Sequence, residues 1–276
     1  MTLHFHLEYE TIFGEEVMLN LVGNDGVKTH RMATFDGKDW FCDLRLSKTD
    51  STLTYYYNVT GRDNNNRSEW QMVKHVLDLT CAKATEYTIY DHWNGMPEDS
   101  YLYSSAFTDC INHQEPEQMK DTAYAQTLQL TVRAPQLRDG ERLAVIGAHP
   151  SLGAWNPDKA LPMTLHTYGE WAVNIDASVL HEEPIELKFV IMNTAGHVMM
   201  WECGYNRTIT LPDMKKNQVV VYHLSQAFFE IWNRKLAGTL VPVFSLRSKE
   251  SAGIGDFGDL KKMIDLMEKT GQRVLQ

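Results

Sequence analysis

The stretch IELKFVIMNTAGHVMMWECGYNRTITL, residues 185–211, contains three short strand candidates in close succession, at 185–192, 198–201 and 208–211. Apolar and polar residues alternate in the first of them, which is typical of a strand with one buried face. In the second, the alternation predicts that Val198 and Met200 share one face and that Trp201 lies on the other. Three such strands within 27 residues predict an antiparallel β-sheet with a tryptophan on its surface.

The same pattern extends over most of the chain. Without intervening helical patterns it predicts β-sandwiches. The candidates are 3–8, 16–21, 40–46, 52–59 and 86–90 in a first region (residues 1–93), and 127–134, 142–147, 171–175, 185–192, 198–201, 208–211 and 219–223 in a second (residues 126–223). The two regions look like weak internal repeats, because 14–19 matches 140–145 and 39–44 matches 170–175. Residues 94–125 are polar and irregular, and are predicted to be a linker.

The last stretch changes character. Residues 237–245 form an apolar run, 258–270 have the spacing of an amphipathic helix, Gly271 is a helix stop, and a new apolar run starts at 274. Strand, helix and strand start predict the opening of a βαβ unit. So few residues cannot complete a parallel sheet with both faces buried, so the chain is expected to be truncated.

Composition excludes several classes of partner and site. The formal net charge of −10 argues against nucleic acid. Four cysteines and 11 histidines show no metal-ligand spacing, so no metal and no disulfide framework are predicted. The G-x-G-x-x-G at 253–258 is not expected to bind a dinucleotide, because Asp256 would face the phosphates, and no cofactor is predicted. No export signal and no membrane span is visible, so the predicted location is cytoplasmic, with the oligomeric state left open.

The sharpest constellation consists of five residues: Trp155, Lys188, Trp201, Glu202 and Asn206. A flat indole suits the apolar face of a sugar ring, and the polar groups suit its hydroxyls. The alternative is that both tryptophans belong to the sandwich core. The loop-like surroundings of Trp155, in LGAWNP at 152–157, favour exposure.

These residues resemble a known family. Gly147, Leu152-Gly-Ala-Trp155, Leu187-Lys-Phe189, Trp201-Glu202 and Asn206-Arg207 are similar to the motifs of starch-binding modules of carbohydrate-binding module family 20. The resemblance implies that residues 126–223 bind α-glucan. Trp155 and Trp201 would stack on neighbouring glucose units, and Lys188, Glu202 and Asn206 would hydrogen-bond their hydroxyls.

The first region resembles a diverged copy of the same module. Trp70 keeps its place, Tyr56 stands where the lysine would be, and the Leu-Gly-x-Trp turn is missing. The family has a second site with a tyrosine before the Gly-Glu turn, and Phe13 stands at that position. Tyr168, in the loop before Trp171, is a further candidate contributor to carbohydrate binding.

Residues 241–248 (VPVFSLRS) and 253–260 (GIGDFGDL) resemble the opening of the (β/α)8 barrel of the 4-α-glucanotransferases, glycoside hydrolase family 77. The expected fold class is therefore mainly β, with two tandem immunoglobulin-like antiparallel sandwiches followed at 224–276 by the first βα unit of a barrel. Family catalysis uses an aspartate nucleophile and a glutamate acid/base beyond residue 276. No catalytic residue is therefore predicted, and the chain is expected to be inactive alone.

The resulting hypothesis is that the chain binds starch, glycogen or malto-oligosaccharide and targets a 4-α-glucanotransferase to it. An alternative is a protein-interaction or dimerisation scaffold built from β-sandwiches, which pull-down or light scattering without glucan would reveal. A complete small glycosidase is disfavoured by the unfinished βαβ unit.

Overall fold

The computed structural model describes residues 1–47, 51–61, 66–81, 83–111, 114–119, 124–180, 184–230, 237–251 and 253–276. The chain divides into two compact units, residues 1–230 and 231–276. Parts of the predicted linker, 112–113 and 120–123, lie outside the described residues, as do 231–236 at the start of the second unit.

The first unit is built almost entirely of strands, and the second holds one α-helix. The strands are β1 (Thr2–Glu8), β2 (Glu16–Gly23), β3 (Gly26–Arg31), β4 (Ala33–Thr34), β5 (Asp39–Arg45), β6 (Thr52–Thr60), β7 (Arg67–Ser68), β8 (His75–Asp78), β9 (Glu86–His92), β10 (Gln126–Arg133), β11 (Arg142–Gly147), β12 (Leu161–Pro162), β13 (Thr164–Thr167), β14 (Glu170–Asp176), β15 (Ile185–Met192), β16 (Val198–Trp201), β17 (Arg207–Ile209), β18 (Gln218–Leu224), β19 (Gly238–Thr239) and β20 (Val274–Leu275). The α-helix is α1 (Phe257–Lys269), and short helical turns lie at Ser100–Tyr103, Ala106–Ile111, Pro150–Leu152, Pro157–Lys159, Ala177–Val179 and Val243–Ser245.

The described residues of the first unit form three sheets. The shared sheet has eight strands in the order β13-β14-β10-β18-β9-β1-β5-β4 and draws on both halves of the unit. The first small sheet contains β3-β2-β6-β7, with β8 also paired to β6. The second small sheet contains β12-β11-β15-β16, with β17 also paired to β15. A mainly β fold with several antiparallel sheets, as expected from the alternation, is confirmed.

The two small sheets cover opposite faces of the shared sheet. Val219 and Val221 of β18 belong to the core cluster that contains Tyr55 and Tyr57 of the first small sheet. Tyr222, the next residue along β18, faces the opposite side of the sheet. Its hydroxyl donates to the carbonyl of Thr210, which follows β17 of the second small sheet, at 2.5 Å. Strand β18 therefore contributes one face to each sandwich.

The shared sheet departs from the expectation of purely antiparallel tandem sandwiches. Three of its strand pairs are parallel: β1 with β9, β10 with β18, and β18 with β9. The last pair joins the two halves, with Gln218 opposite Glu86 and Tyr222 opposite Tyr90. An edge strand offers unpaired backbone groups, and pairing β9 with β18 satisfies them on both halves.

The second unit contains the predicted strand–helix–strand arrangement. Strands β19 and β20 are parallel, with Gly238 opposite Val274. Asp256 caps α1, since its carboxylate accepts from the Gly258 N–H at 2.8 Å and the Asp259 N–H at 3.1 Å. Strand β19 is much shorter than the predicted strand at 237–245. Pro242 has no N–H to donate to a neighbouring strand, and a 3-10 turn follows it. Among the described residues, no helix is long and apolar enough to cross a membrane.

Candidate functional site

Strand β15 presents one face to the sandwich core and one to the outside. Leu187, Phe189 and Ile191 are buried in the interior. Lys188 and Val190 alternate with them and lie on the outer face of the second small sheet. Residues directly opposite on paired strands share a face, and this register decides where the neighbouring side chains point.

Trp201 lies on that outer face because it is paired with Val190 across β15 and β16. Its side chain is an exposed one, with 39% of the residue accessible. The expectation for Met200 is confirmed, since it pairs with the inward Ile191. The expectation for Val198 was wrong: a register shift pairs it with Met192, on the same face as Trp201.

Trp155 is held over the same face by a tight turn. Its N–H donates to the Gly147 carbonyl at 2.9 Å, at the end of β11. Gly153, Ala154 and Trp155 have φ values of 85°, 48° and 58°, so three consecutive residues occupy the left-handed region. For the two non-glycine residues this conformation is strained, and it is kept because the surrounding turn imposes it.

The indole of Trp155 is half-buried rather than free. It packs with Val198 against a small apolar cluster on the outer face, separate from the sandwich core. The cluster consists of Ala144, Ile146, Ala160, Val190 and Met192. Because Trp201 is the cross-strand partner of Val190, both indoles are anchored on one face of one sheet. We call the outer face carrying Trp155 and Trp201 the indole platform.

Two polar contacts fasten the loop after Trp201 to the platform. The Lys188 ammonium donates to the Gly204 carbonyl at 2.6 Å. The Asn206 amide donates to the Glu186 carboxylate at 3.3 Å. Both Asn206 and Glu186 are exposed, so their remaining donors and acceptors face solvent beside the indoles.

Glu202 lies on the inner side of the same loop, and a hydrogen bond from its carboxylate to a sugar hydroxyl stays a prediction. Only 4% of its side chain is exposed, and its carboxylate is turned inward. It accepts from the Phe189 N–H at 3.2 Å and from Arg207, whose Nε and Nη2 lie 2.9 and 2.5 Å from Oε1. The Arg207 guanidinium holds the carboxylate on the inner side of the loop, and this ion pair braces the loop.

The other predicted residues lie elsewhere in the first unit. Tyr168 follows β13 in the shared sheet, and its hydroxyl donates to the Leu102 carbonyl at 2.9 Å. Its ring contacts Tyr103 edge-on at 5.9 Å, and Trp70 contacts the same Tyr103 at 5.2 Å. Phe13 is 97% exposed and borders a cleft of the first half. None of these three is brought to the indole platform.

Sequence reasoning passed over Tyr205. It is 98% exposed in the loop that Lys188 and Asn206 fasten. Its only sequence signal is its position between Gly204 and Asn206, which is typical of a turn. A third exposed aromatic ring therefore lies in the loop that directly follows Trp201.

A buried polar network also escaped sequence reasoning. Asp91, in the shared sheet, accepts from the Tyr55 and Tyr57 hydroxyls at 2.9 and 2.6 Å and from His223 Nδ1 at 2.6 Å. His75 Nδ1 lies 3.6 Å from Asp91, and its Nε2 lies 3.0 Å from Glu69. The residues of this network come from four strands and one loop, so no local spacing in the sequence indicates that they meet.

The charges of this network stabilise one another. Burial alone would raise the pKa of Asp91, but His75, His223 and the hydrogen bonds hold it well below its usual range. Burial would lower the pKa of His75, and the Glu69 and Asp91 carboxylates outweigh it and raise that pKa. His75, Asp91 and His223 are the one group among the described residues whose ligand-type atoms lie close enough for a metal ion. Both oxygens of Asp91 already accept hydrogen bonds within the protein, so the network acts as a structural brace between the strands that contribute to it.

Two family models match the chain. Residues 126–221 match the starch binding domain, and residues 241–276 match 4-alpha-glucanotransferase. The 4-alpha-glucanotransferase DPE2 of Oryza sativa subsp. japonica is 29% identical over the whole chain, which spans 31% of the length of that protein. An alpha-amylase of Streptomyces violaceus is 34% identical over 26% of this chain and 12% of its own length.

Solved structures give weaker matches. The family 20 carbohydrate-binding module of the maltotetraose-forming amylase from Pseudomonas saccharophila STB07 is 20% identical, with a TM-score of 0.29 over 36% of this chain and 99% of that one. A glucoamylase from Hypocrea jecorina is 25% identical, with a TM-score of 0.30 over 38% of this chain and 17% of that one. The two family matches and the rice relative show that the chain combines a family 20 starch-binding domain with a segment of the glycoside hydrolase family 77 4-alpha-glucanotransferases.

Proposed function

We propose that the indole platform binds a chain of α-1,4-linked glucose units, with Trp155 and Trp201 stacking on sugar rings. The observation that carries this proposal is the register that anchors both indoles on one outer face. A β-sheet surface with two aromatic rings and few charges suits a neutral polyhydroxyl ligand better than an ionic one.

Magnitudes favour a weak but useful site. A sugar face on an indole contributes on the order of 1–2 kcal/mol, from area at about 25 cal/mol per Å². A hydrogen bond from Lys188 or Asn206 replaces one to water and adds about 1 kcal/mol net. Their sum corresponds to a Kd in roughly the micromolar to millimolar range.

We further propose that the first unit carries two modules, residues 1–93 and 126–223, with 94–125 as linker, and that 224–276 opens the catalytic barrel. The whole protein would transfer α-1,4-glucan segments to an acceptor sugar, as the name of the rice relative suggests. Holding glucan beside the barrel would raise its effective concentration there. In the first module, Trp70 and Phe13 are candidate contacts, and Tyr168 is one in the second.

Calorimetric titration with a cyclic malto-oligosaccharide tests the platform. Wild-type chain should release measurable heat, and the Trp155→Ala/Trp201→Ala double variant should release none above dilution. Phe244→Ala removes an exposed aromatic ring of the other unit and should bind like wild type. Unchanged heat in the double variant would refute the assignment.

A further inference from the structure

The offset arrangement of the two sandwiches leaves part of the shared sheet uncovered. Tyr222 faces the second small sheet, and its register partner in β9 is Tyr90. Tyr90 pairs in turn with His6 of β1, and His6 pairs with Phe41 of β5. These four side chains therefore form one row on one face, across four adjacent strands.

Neighbouring rings of the row are stacked. Tyr90 and Tyr222 lie 4.7 Å apart with their planes at 14°, and His6 and Tyr90 lie 5.0 Å apart at 22°. The four residues are half-buried, so their edges line a surface without being covered. Three spacings between adjacent strands of about 4.8 Å give a row about 14 Å long, longer than a single sugar ring.

The row forms the floor of a groove of about 730 Å³. One wall comes from the second small sheet, through Asn206, Arg207 and Thr208, and Ser225 lies beside them. Glu8 and Asp39 lie in the groove at its other side. Amide, hydroxyl and carboxylate groups around aromatic edges suit a polyhydroxyl ligand, and the two carboxylates disfavour a phosphate or another anion.

Two basic side chains of the groove, His6 and Arg207, carry no free positive charge at pH 7. Burial lowers the pKa of His6, so its imidazole is neutral at pH 7 and offers one donor and one acceptor. Arg207 is engaged by the buried Glu202 carboxylate and by Gln226. Neither His6 nor Arg207 therefore offers a free positive charge to a ligand in the groove.

Asn206 connects the groove to the indole platform. Its amide donates to Glu186 on the platform face, and the same residue lines the groove. The platform face and the groove therefore adjoin at Asn206, and a glucan chain that extends from the indoles past this residue reaches the groove. Because the groove adjoins the glucan platform, the ligand expected in it is the same α-glucan chain.

We propose that the groove floored by His6, Phe41, Tyr90 and Tyr222 is a second binding surface for an α-glucan chain, continuous with the indole platform. The proposal rests on the proposed function and extends it to a site built jointly by the two halves of the first unit. A long glucan would contact both surfaces, and a short one would fit on the platform alone.

The test compares maltotriose with maltoheptaose by calorimetry. Tyr90→Leu/Tyr222→Leu keeps apolar side chains on the sheet but removes the rings. Affinity for maltoheptaose should fall about tenfold, which corresponds to about 1.4 kcal/mol, with maltotriose affinity unchanged. Tyr101→Leu, an exposed tyrosine outside both surfaces, is the matched control and should bind like wild type.

A second variant guards against a folding defect in the sheet. Asp39→Arg places a bulky side chain at the exposed side of the groove that belongs to the first half, away from the indole platform, and should reduce maltoheptaose affinity in the same way, with an unchanged melting temperature. In the Trp155→Ala/Trp201→Ala background, maltoheptaose should still shift the NMR signals of the His6 ring.

The possible failures are distinguishable. Loss of all binding in the tryptophan double variant, with both groove variants folded and binding both sugars like wild type, would overturn the groove and leave the platform standing. Full binding in the tryptophan double variant, lost in the groove variants, would overturn the platform instead. Equal binding in every variant would overturn both.

Discussion

The Arg207 guanidinium and the Glu202 carboxylate form a multidentate ion pair beneath the loop that follows Trp201. Nε of Arg207 lies 2.9 and 3.2 Å from the two carboxylate oxygens, and only 4% of the Glu202 side chain is exposed. Arg207 also donates to Ser225 Oγ at 3.0 Å and to the Gln226 carbonyl at 3.0 Å. The pair therefore ties the second small sheet to the segment after β18.

Replacing Glu202 should destabilise the fold. Glu202→Gln leaves the half-buried Arg207 without its counter-charge, and loss of one partner of a buried pair costs about 3 kcal/mol or more, so this variant should lose up to about that much. Urea unfolding measures the change. Glu186→Gln, on the exposed platform face, is the control and should stay within about 0.5 kcal/mol. If Glu202→Gln unfolds like wild type but loses glucan affinity, the carboxylate touches sugar directly, as the sequence suggested.

Replacing either of the two platform tryptophans should lower the free energy of unfolding by a different amount. Trp155→Ala uncovers the outer apolar cluster around Ile146 and Val190, and should cost about 2 kcal/mol, below the range for a fully buried tryptophan. Trp201→Ala removes an exposed ring and should cost about 0.5 kcal/mol or less. Both should lower glucan affinity about tenfold. Differential scanning calorimetry and titration calorimetry measure the two effects, and equal melting temperatures would contradict the packing described for Trp155.

The turn before Trp155 should be intolerant of a side chain at Gly153. A Cβ there would lie 2.6 Å from the Lys159 carbonyl oxygen, and φ is +85°. Gly196 has nearly the same φ, +82°, with nothing closer than 3.9 Å. Gly196→Ala should cost only the left-handed strain, about 1–2 kcal/mol. Gly153→Ala should cost more and weaken glucan binding by displacing Trp155; identical behaviour of the two variants in unfolding and titration would refute this.

The buried network makes stability depend on pH in two directions. The folded pKa of Asp91 lies below its unfolded value of about 3.9, so its contribution is present above that pH and lost as pH falls below it. The folded pKa of His75 lies above its unfolded value of about 6.5, so its contribution is complete below that pH and lost as pH rises through the folded value.

Urea unfolding from pH 3 to 9 should therefore show greatest stability between about pH 4 and 6.5 as far as this network is concerned. His75→Gln should flatten the loss on the alkaline side, and Asp91→Asn the loss on the acid side. Wild-type and variant profiles that run parallel would show that the network does not titrate with folding.

Local alternation made part of this fold predictable. In β15 every second residue is apolar and buried, and the outward position of Lys188 follows from that period alone. The opposite orientation of Val198 does not follow, because the register shift beside Met192 depends on the partner strand. The inward carboxylate of Glu202 depends on where Arg207 comes to lie in three dimensions.

Long-range pairing was the part that sequence could not supply. Strand β9 pairs with β18, and Asp91 meets His223 across 132 residues. The alternation in each half predicts a sandwich, but alternation within a strand does not determine which other strand it pairs with. The sheet shared by the two halves was therefore not predictable from it. The aromatic row of His6, Tyr90 and Tyr222 exists only once those strands are adjacent.

The most direct test of the glucan platform is the response of the tryptophan indole N–H signals to maltoheptaose in a ¹H–¹⁵N NMR titration, assigned through single Trp→Phe variants. The structure predicts saturable shifts for Trp155 and Trp201, while the signal of the buried Trp171, which lines neither surface, stays in place. Binding of the sugar with the Trp155 and Trp201 signals unmoved would contradict the platform.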